Sequence, residues 1–163
     1  MDLYLIRHAE AKPLGADGIT RDEDRPLTEA GEAQARELAA GLQRHGVHLG
    51  LLLTSPLLRA RQTAEAILRQ WSLPAPELRV CAELAPGVKP KKLARLLRML
   101  SADGVGLVGH MPDLARHTAW LIGGKKAQID LAKAGAAHLV CPDFPRKGSC
   151  TLIWLVTPEL LRR

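Results

Sequence analysis

Two short apolar runs in this sequence end on a histidine, and a third leads into a turn that carries an arginine. Leu3 to Ile6 stops at Arg7-His8, and Val105 to Val108 stops at Gly109-His110. Between them, Leu49 to Leu53 runs into Thr54-Ser55-Pro56, with Arg59 just beyond. Apolar runs of this length, bounded by turn residues, are the pattern of buried strands. In open α/β sheets, ligands bind beyond the carboxyl ends of the strands. Side by side, these three strands would bring two histidines and two arginines to one spot. The arginine fork is planar, always charged and matched to phosphate oxygens. Arg59 falls in the first turn of its helix, where backbone N–H groups also favour an anion. A histidine beside two guanidinium groups has its charged form disfavoured. From a reference near ~6.5, its imidazole is then neutral at physiological pH. A neutral imidazole nitrogen is a competent nucleophile. These residues therefore suit a phosphoryl group. A lone histidine at one strand end would carry little; the conjunction at three strand ends carries the reading.

The remaining elements must hold those ends together. Thr28 is placed to cap a helix whose apolar face is Ala35, Leu38, Ala39 and Leu42, with Gly46 at its stop. Ser55 reads as the N-cap of the next helix, with Pro56 at its first position. Ala60, Ala64, Ile67, Leu68 and Trp71 line that helix, and Pro74 and Pro76 end it. Residues 78–81 form a short strand, and Leu93, Leu96, Leu97 and Leu100 mark an amphipathic helix. Leu114 to Ile122 is helical, and the segments near 136–141 and 150–156 are an antiparallel strand pair. Strands alternating with helices predict an α/β class protein: a three-layer α/β/α sandwich with a mostly parallel, mixed sheet. The 163 residues read as one domain.

Composition narrows the function classes. The chain is 47% hydrophobic, 25% charged and only 3% aromatic, so Ala and Leu fill most of the core. No apolar run approaches the ~20 residues that cross a bilayer. Met1 to Ile6 runs directly into Arg7, without the layout of a signal peptide. Cys81, Cys141 and Cys150 have no metal-like spacing and read as free thiols of a reducing cytoplasm. The net charge of +6 attracts anions of many kinds. With one Phe and one Tyr, a nucleic-acid surface of interleaved aromatics is hard to build. Trp71, Trp120 and Trp154 read as packing residues. His45, His48, His117 and His138 have no motif around them. Lys89, Lys91 and Lys92 form a basic cluster near a helix start that reads as a solvated face, with contact to an acidic partner protein as the alternative; Lys125-Lys126 and Arg162-Arg163 read as surface charges. No exposed apolar stripe is left over, so a monomer is expected.

At four places the sequence resembles the histidine phosphatase superfamily. Arg7-His8-Ala9 is similar to its signature, whose usual third residue is Gly. Arg25-Pro26-Leu27-Thr28, with Gly31 and Gln34-Ala35 beyond, resembles its second motif. Ser55-Pro56-Leu57-Leu58-Arg59-Ala60-Arg61-Gln62-Thr63 resembles the third, and Gly109-His110-Met111-Pro112 the fourth. The short length and His110-Met111-Pro112 are similar to the SixA-type phosphohistidine phosphatases. The resemblance implies the phosphoglycerate-mutase-like fold without a lid domain, an open site and no need of a metal or cofactor. It implies that His8 is the nucleophile and becomes phosphorylated. Arg7, Arg59 and His110 would hold the phosphoryl oxygens and stabilise the transition state. Ala9 adds a methyl group beside the nucleophile without removing a catalytic group.

Glu83 stands near where related phosphatases place a proton donor; Asp22, Glu23 and Asp24 are alternatives. Ser55 is a further candidate contact to a phosphoryl oxygen. The expected substrate is a phosphohistidine-bearing protein, with inorganic phosphate as product. The competing substrate is a small phosphomonoester. A catalytically silent phospholigand-binding module and a basic RNA-binding protein are the rivals from other classes. Neither nucleic acid nor membrane is expected as a partner.

Overall fold

The computed structural model describes residues 1–124 and 126–161. Six strands form one sheet: β1 (Asp2–Arg7), β2 (Leu51–Thr54), β3 (Glu77–Val80), β4 (Gly104–Gly109), β5 (Ala136–Val140) and β6 (Thr151–Val156). Their order is β3-β2-β4-β1-β5-β6. The first four are mutually parallel, while β5 and β6 run antiparallel at one edge. Helices α1 (Glu29–Arg44), α2 (Leu58–Gln70), α3 (Pro90–Leu97), α4 (Asp113–Leu121) and α5 (Pro158–Leu161) complete the fold.

Side-chain alternation along each strand assigns the two faces. Tyr4, Ile6, Leu52 and Val108 turn toward α1, α2 and α5, meeting Leu38, Leu42, Ala64 and Ile67. Leu3, Leu5, Leu53, Val105 and Leu107 turn the other way, toward Leu93, Leu97, Leu114 and Leu121 of α3 and α4. The result is the three-layer α/β/α sandwich with a mixed sheet that the sequence pattern predicts. No inserted lid domain stands among the described residues.

Most element signals read as expected. Thr28 caps α1, its Oγ1 accepting from Gly31 N–H at 3.0 Å. The second helix begins later than predicted. Leu57 is its N-cap and Leu58 its first residue, so Ser55 and Pro56 lie in the preceding turn. Ser55 Oγ is instead turned to the end of β4, where it meets His110 Nε2 at 2.7 Å. His138 is fixed in the sheet: it stacks on Tyr4 with ring centroids 4.6 Å apart, and its Nε2 contacts Asp2 Oδ1 at 2.6 Å. Lys125, Arg162 and Arg163 lie outside the described residues.

The cysteines differ from the sequence reading. Cys141 and Cys150 are joined in a disulfide, and only Cys81 is free and buried. The antiparallel pairing of β5 and β6 brings their adjoining ends together, a proximity that residue spacing alone does not show. Thiol titration of the denatured, unreduced protein should find one free thiol per chain. Three would return the sequence reading to force.

Candidate active site

Parallel pairing of β1 and β4 sets the centre of the site. Arg7 lies opposite Gly109, and the next residue on each strand is a histidine. His8 N–H donates to Gly109 O at 3.0 Å, carrying the ladder one step past the strand end. The two imidazole centroids are 5.1 Å apart. On the other side of β4, Ser55 N–H donates to Val108 O at 2.9 Å, which brings Ser55 against His110. The chain leaves β1 toward β2 on one side, and leaves β4 toward β5 on the other. The histidines therefore stand at a topological switch point, where open α/β sheets bind ligands.

The tautomer of His8 follows from its partner. His8 Nδ1 lies 2.8 Å from Ala9 O. A carbonyl oxygen only accepts, so Nδ1 carries the proton and Nε2 the lone pair. Burial, helped by the Arg59, Arg7 and Arg25 guanidiniums and opposed by the Ala9 hydrogen bond, brings the His8 pKa down to about 4. His8 is thus neutral at physiological pH, with a free lone pair on Nε2. Burial also lowers His110, to about 3, reinforced by His8 and Arg59. Ser55 Oγ accepts from Leu57 N–H at 3.4 Å. Its hydroxyl is fully buried, and a buried hydroxyl hydrogen requires an acceptor; His110 Nε2, at 2.7 Å, is the one within reach among the described residues and so takes it. That leaves His110 Nδ1 as an N–H donor.

Three buried donors at this site have no protein acceptor: His110 Nδ1, Arg7 Nε and Arg59 Nε. Buried donors are rarely left unpaired, because each costs about 1–3 kcal/mol. Both arginines are held by their outer nitrogens. Arg7 Nη1 donates to Leu131 O at 2.7 Å. Arg59 Nη1 donates to Asp22 O at 2.7 Å, and Nη2 to Asp22 Oδ2 at 3.0 Å. Each fork is thereby clamped from behind, with its Nε–H unpaired. Three fixed donors around one neutral imidazole form a cradle for a tetrahedral oxyanion.

Polar residues of the motifs build the cradle's frame. Thr63 Oγ1 accepts from Ala9 N–H at 3.0 Å and donates to Arg59 O at 2.7 Å, tying the nucleophile loop to α2. Gln62 Oε1 accepts from Leu27 N–H, and Gln34 Oε1 from Glu10 N–H. Gly31 leaves no room for a side chain, since a Cβ there would stand 2.0 Å from Glu10 O. The signal for this frame lies in the sequence as polar residues and a glycine on otherwise apolar helix faces.

The structure brings Arg7, His8, Ser55, Arg59 and His110 together. Glu83 sits on a 3-10 turn, Ala82–Leu84, after β3, at the same end of the sheet. Its recorded partner is the Cys81 thiol, whose Sγ donates to Glu83 Oε2 at 3.4 Å. Burial raises that thiol to about 11, so it remains a donor. Among the loop carboxylates, Asp22 is held below the usual range by hydrogen bonds from Arg25 and Arg59. Glu23 is lowered chiefly by its hydrogen bond from Arg21. Both are poor proton donors. The sequence reading had considered Asp22 only as an acid; in the structure it holds Arg59.

The chain belongs to the histidine phosphatase superfamily (branch 1), whose profile matches residues 3–89. Among its relatives, an uncharacterised protein of Picosynechococcus sp. is 42% identical over 143 residues, covering 85% of this chain and 84% of that one. Phosphohistidine phosphatase SixA of Escherichia coli (strain K12) is 28% identical over 161 residues, covering 97% of this chain and 94% of its own. The structure of the protein histidine phosphatase SixA complexed with tungstate superposes with a TM-score of 0.85 at 27% identity, covering 99% of both chains. The fold is therefore the phosphoglycerate-mutase-like one that the motifs imply.

The cradle predicts that fork geometry at Arg59, beyond charge, holds the anion. Arg59→Lys keeps the charge and loses the Nε donor. Tungstate binding measured by calorimetry should weaken by at least about tenfold, the worth of one charged hydrogen bond. Unchanged affinity would show that charge alone suffices.

Proposed function

We propose that this protein is a metal-independent phosphatase that removes phosphoryl groups from phosphohistidine on a protein, through a phosphorylated His8. The observation that supports it most is the neutral His8, with its free Nε2 lone pair, beside three buried donors that lack acceptors. The likeness to SixA over nearly the full chain supports the substrate class.

In the first step, His8 Nε2 attacks phosphorus in line and forms a P–N bond. The bond to the leaving group breaks, and its electron pair departs with that group. Arg7, Arg59 and His110 hold the equatorial oxygens, where charge is spread in the transition state. Ser55 acts through His110, fixing which ring nitrogen carries the proton. In the second step, water attacks phosphorus, the His8 P–N bond breaks, and inorganic phosphate leaves. The electron pair returns to Nε2, and the water's proton goes to the carboxylate that protonated the leaving group, or to solvent.

Glu83 is the proposed proton donor to the leaving group. A general acid contributes roughly 10²–10⁴-fold where the leaving group is basic. An alkoxide leaving a phosphomonoester needs that proton; an imidazole leaving a phosphohistidine needs it far less. The proposed site of action is the cytoplasm. There a disulfide meets the thiol pool, and the β5–β6 ladder would hold the hairpin whether Cys141 and Cys150 are joined or reduced.

The test measures phosphate release from a phosphohistidine protein and from a small phosphomonoester, without added metal. Wild type should clear phosphohistidine preferentially, and His8→Ala should clear neither. Glu83→Gln should slow the ester by about a hundredfold or more and phosphohistidine far less. Preference for the ester would overturn the substrate class. Tungstate binding without turnover of either substrate would make the protein a silent phospholigand module.

A further inference from the structure

A basic stretch runs along α3 and the segments facing it. Helix α3 and its flanks carry Lys89, Lys91, Lys92, Arg95 and Arg98, and no Asp or Glu occurs between Glu83 and Asp103. Lys91, Arg95 and Arg98 recur at helical spacing on one exposed stripe. Across a shallow trough stand Arg116 of α4 and, on the segment before β6, Arg146 and Lys147.

Three adjoining clefts make up the trough. The first joins Pro90 and Pro112, at the starts of α3 and α4, to Trp120 and Lys147. The second shares Trp120 and Lys147 and adds Arg95 and Arg98. The third continues from Arg95 and Arg98 to Met99 and Phe144. The trough thus begins two residues from His110 and runs toward the far end of α3. Its floor is apolar, with half-buried Trp120 and buried Pro145. Its far end exposes two large apolar side chains, Met99 at 78% and Phe144 at 60%.

The cations on its walls are mostly uncommitted. Among the described residues, Lys91, Arg95, Arg98, Arg146 and Lys147 form no ion pair with a carboxylate, while Arg116 pairs with buried Asp113 at 3.0 Å. Asp143 is the one carboxylate in sequence beside Phe144. Like charges gathered without partners repel one another and cost stability, so the arrangement favours an anionic occupant.

We propose that this trough docks an acidic, amphipathic segment of the protein substrate. Its carboxylates meet the stripe on α3, its apolar residues meet Trp120, Met99 and Phe144, and its phosphorylated residue reaches His8. The proposal rests on the phosphoprotein reading of the site and adds to it the chemistry of the partner. A floor with one exposed aromatic side chain offers little base stacking, so the features favour a protein over RNA.

The doubly reversed variant Arg95→Glu/Arg98→Glu tests it, because both residues are exposed and lie outside the phosphoryl cradle. The first readout is fluorescence anisotropy with a labelled acidic peptide of Glu interspersed with Leu, at about 20 mM salt to limit screening. Wild type should bind it, and the variant should bind at least about tenfold more weakly. The second compares kcat/KM on an acidic phosphohistidine protein and on free phosphoramidate. The variant should lose about tenfold on the protein alone, with the salt dependence of that rate flattened. Equal peptide binding by both proteins, or equal loss on both substrates, overturns the proposal. So does binding of a single-stranded RNA oligonucleotide in preference to the peptide. If wild type turns over neither substrate, the phosphatase reading fails, and the peptide experiment still decides the docking surface.

Discussion

The hydrogen bond from His8 N–H to the Gly109 carbonyl, at 3.0 Å, is the point from which the site is built. It extends the β1–β4 ladder past both strand ends and sets two imidazoles 5.1 Å apart at the switch point of the sheet. A one-residue slip would exchange the side chains of the two faces, which pack against different helices. The two packed faces of β1 and β4 therefore hold the histidines in register. Burial at that position removes the charge from both rings, and the guanidiniums nearby reinforce it. The pocket is cationic through its arginines while its two imidazoles remain neutral.

Around this centre, the forks are restrained from outside the site. Asp22 takes both terminal nitrogens of Arg59, and Leu131 O takes one from Arg7. The donors left inside have nowhere to turn, so an anion bound there would meet them with little reorganisation. Thr63 couples the same frame to the nucleophile loop, and the close approach of Gly31 to Glu10 sets how α1 meets that loop. Rigidity here comes from polar contacts on the side of the sheet covered by α1 and α2. The opposite side, covered by α3 and α4, carries the open basic trough.

Much of this architecture was legible in the sequence because the strands are short, apolar and end on polar residues. Leu3–Ile6 and Val105–Val108 announce their strand ends, and the Thr28 cap and the Ala35–Leu42 periodicity announce α1. Arg7, His8, Arg59 and His110 were legible as a set because each sits at or just past such an end. What was hidden depends on contacts between distant segments. Ser55 looked like a helix cap because Ser-Pro is a helix-start pattern; its partner His110 is fifty-five residues away in sequence. Cys141 and Cys150 looked independent until the edge hairpin paired them. Asp22 looked like a loop acid, and only the folded loop shows it holding Arg59. The Lys89–Lys92 cluster reads in the sequence as solvated charge or as contact to an acidic partner; that Arg116, Arg146 and Lys147 stand across from α3 shows only in the folded chain.

The central claim is that the fold holds His8 neutral, with its proton on Nδ1 and its lone pair on Nε2. Nitrogen-15 NMR of histidine-labelled protein, with the His8 signals assigned by comparison with His8→Gln, reads charge and tautomer together across a pH titration in phosphate-free buffer. A neutral, Nδ1-protonated ring is expected throughout the physiological range, gaining charge only as pH falls toward about 4. A ring that charges near its ordinary value of about 6.5, or a neutral ring with its proton on Nε2, would contradict it.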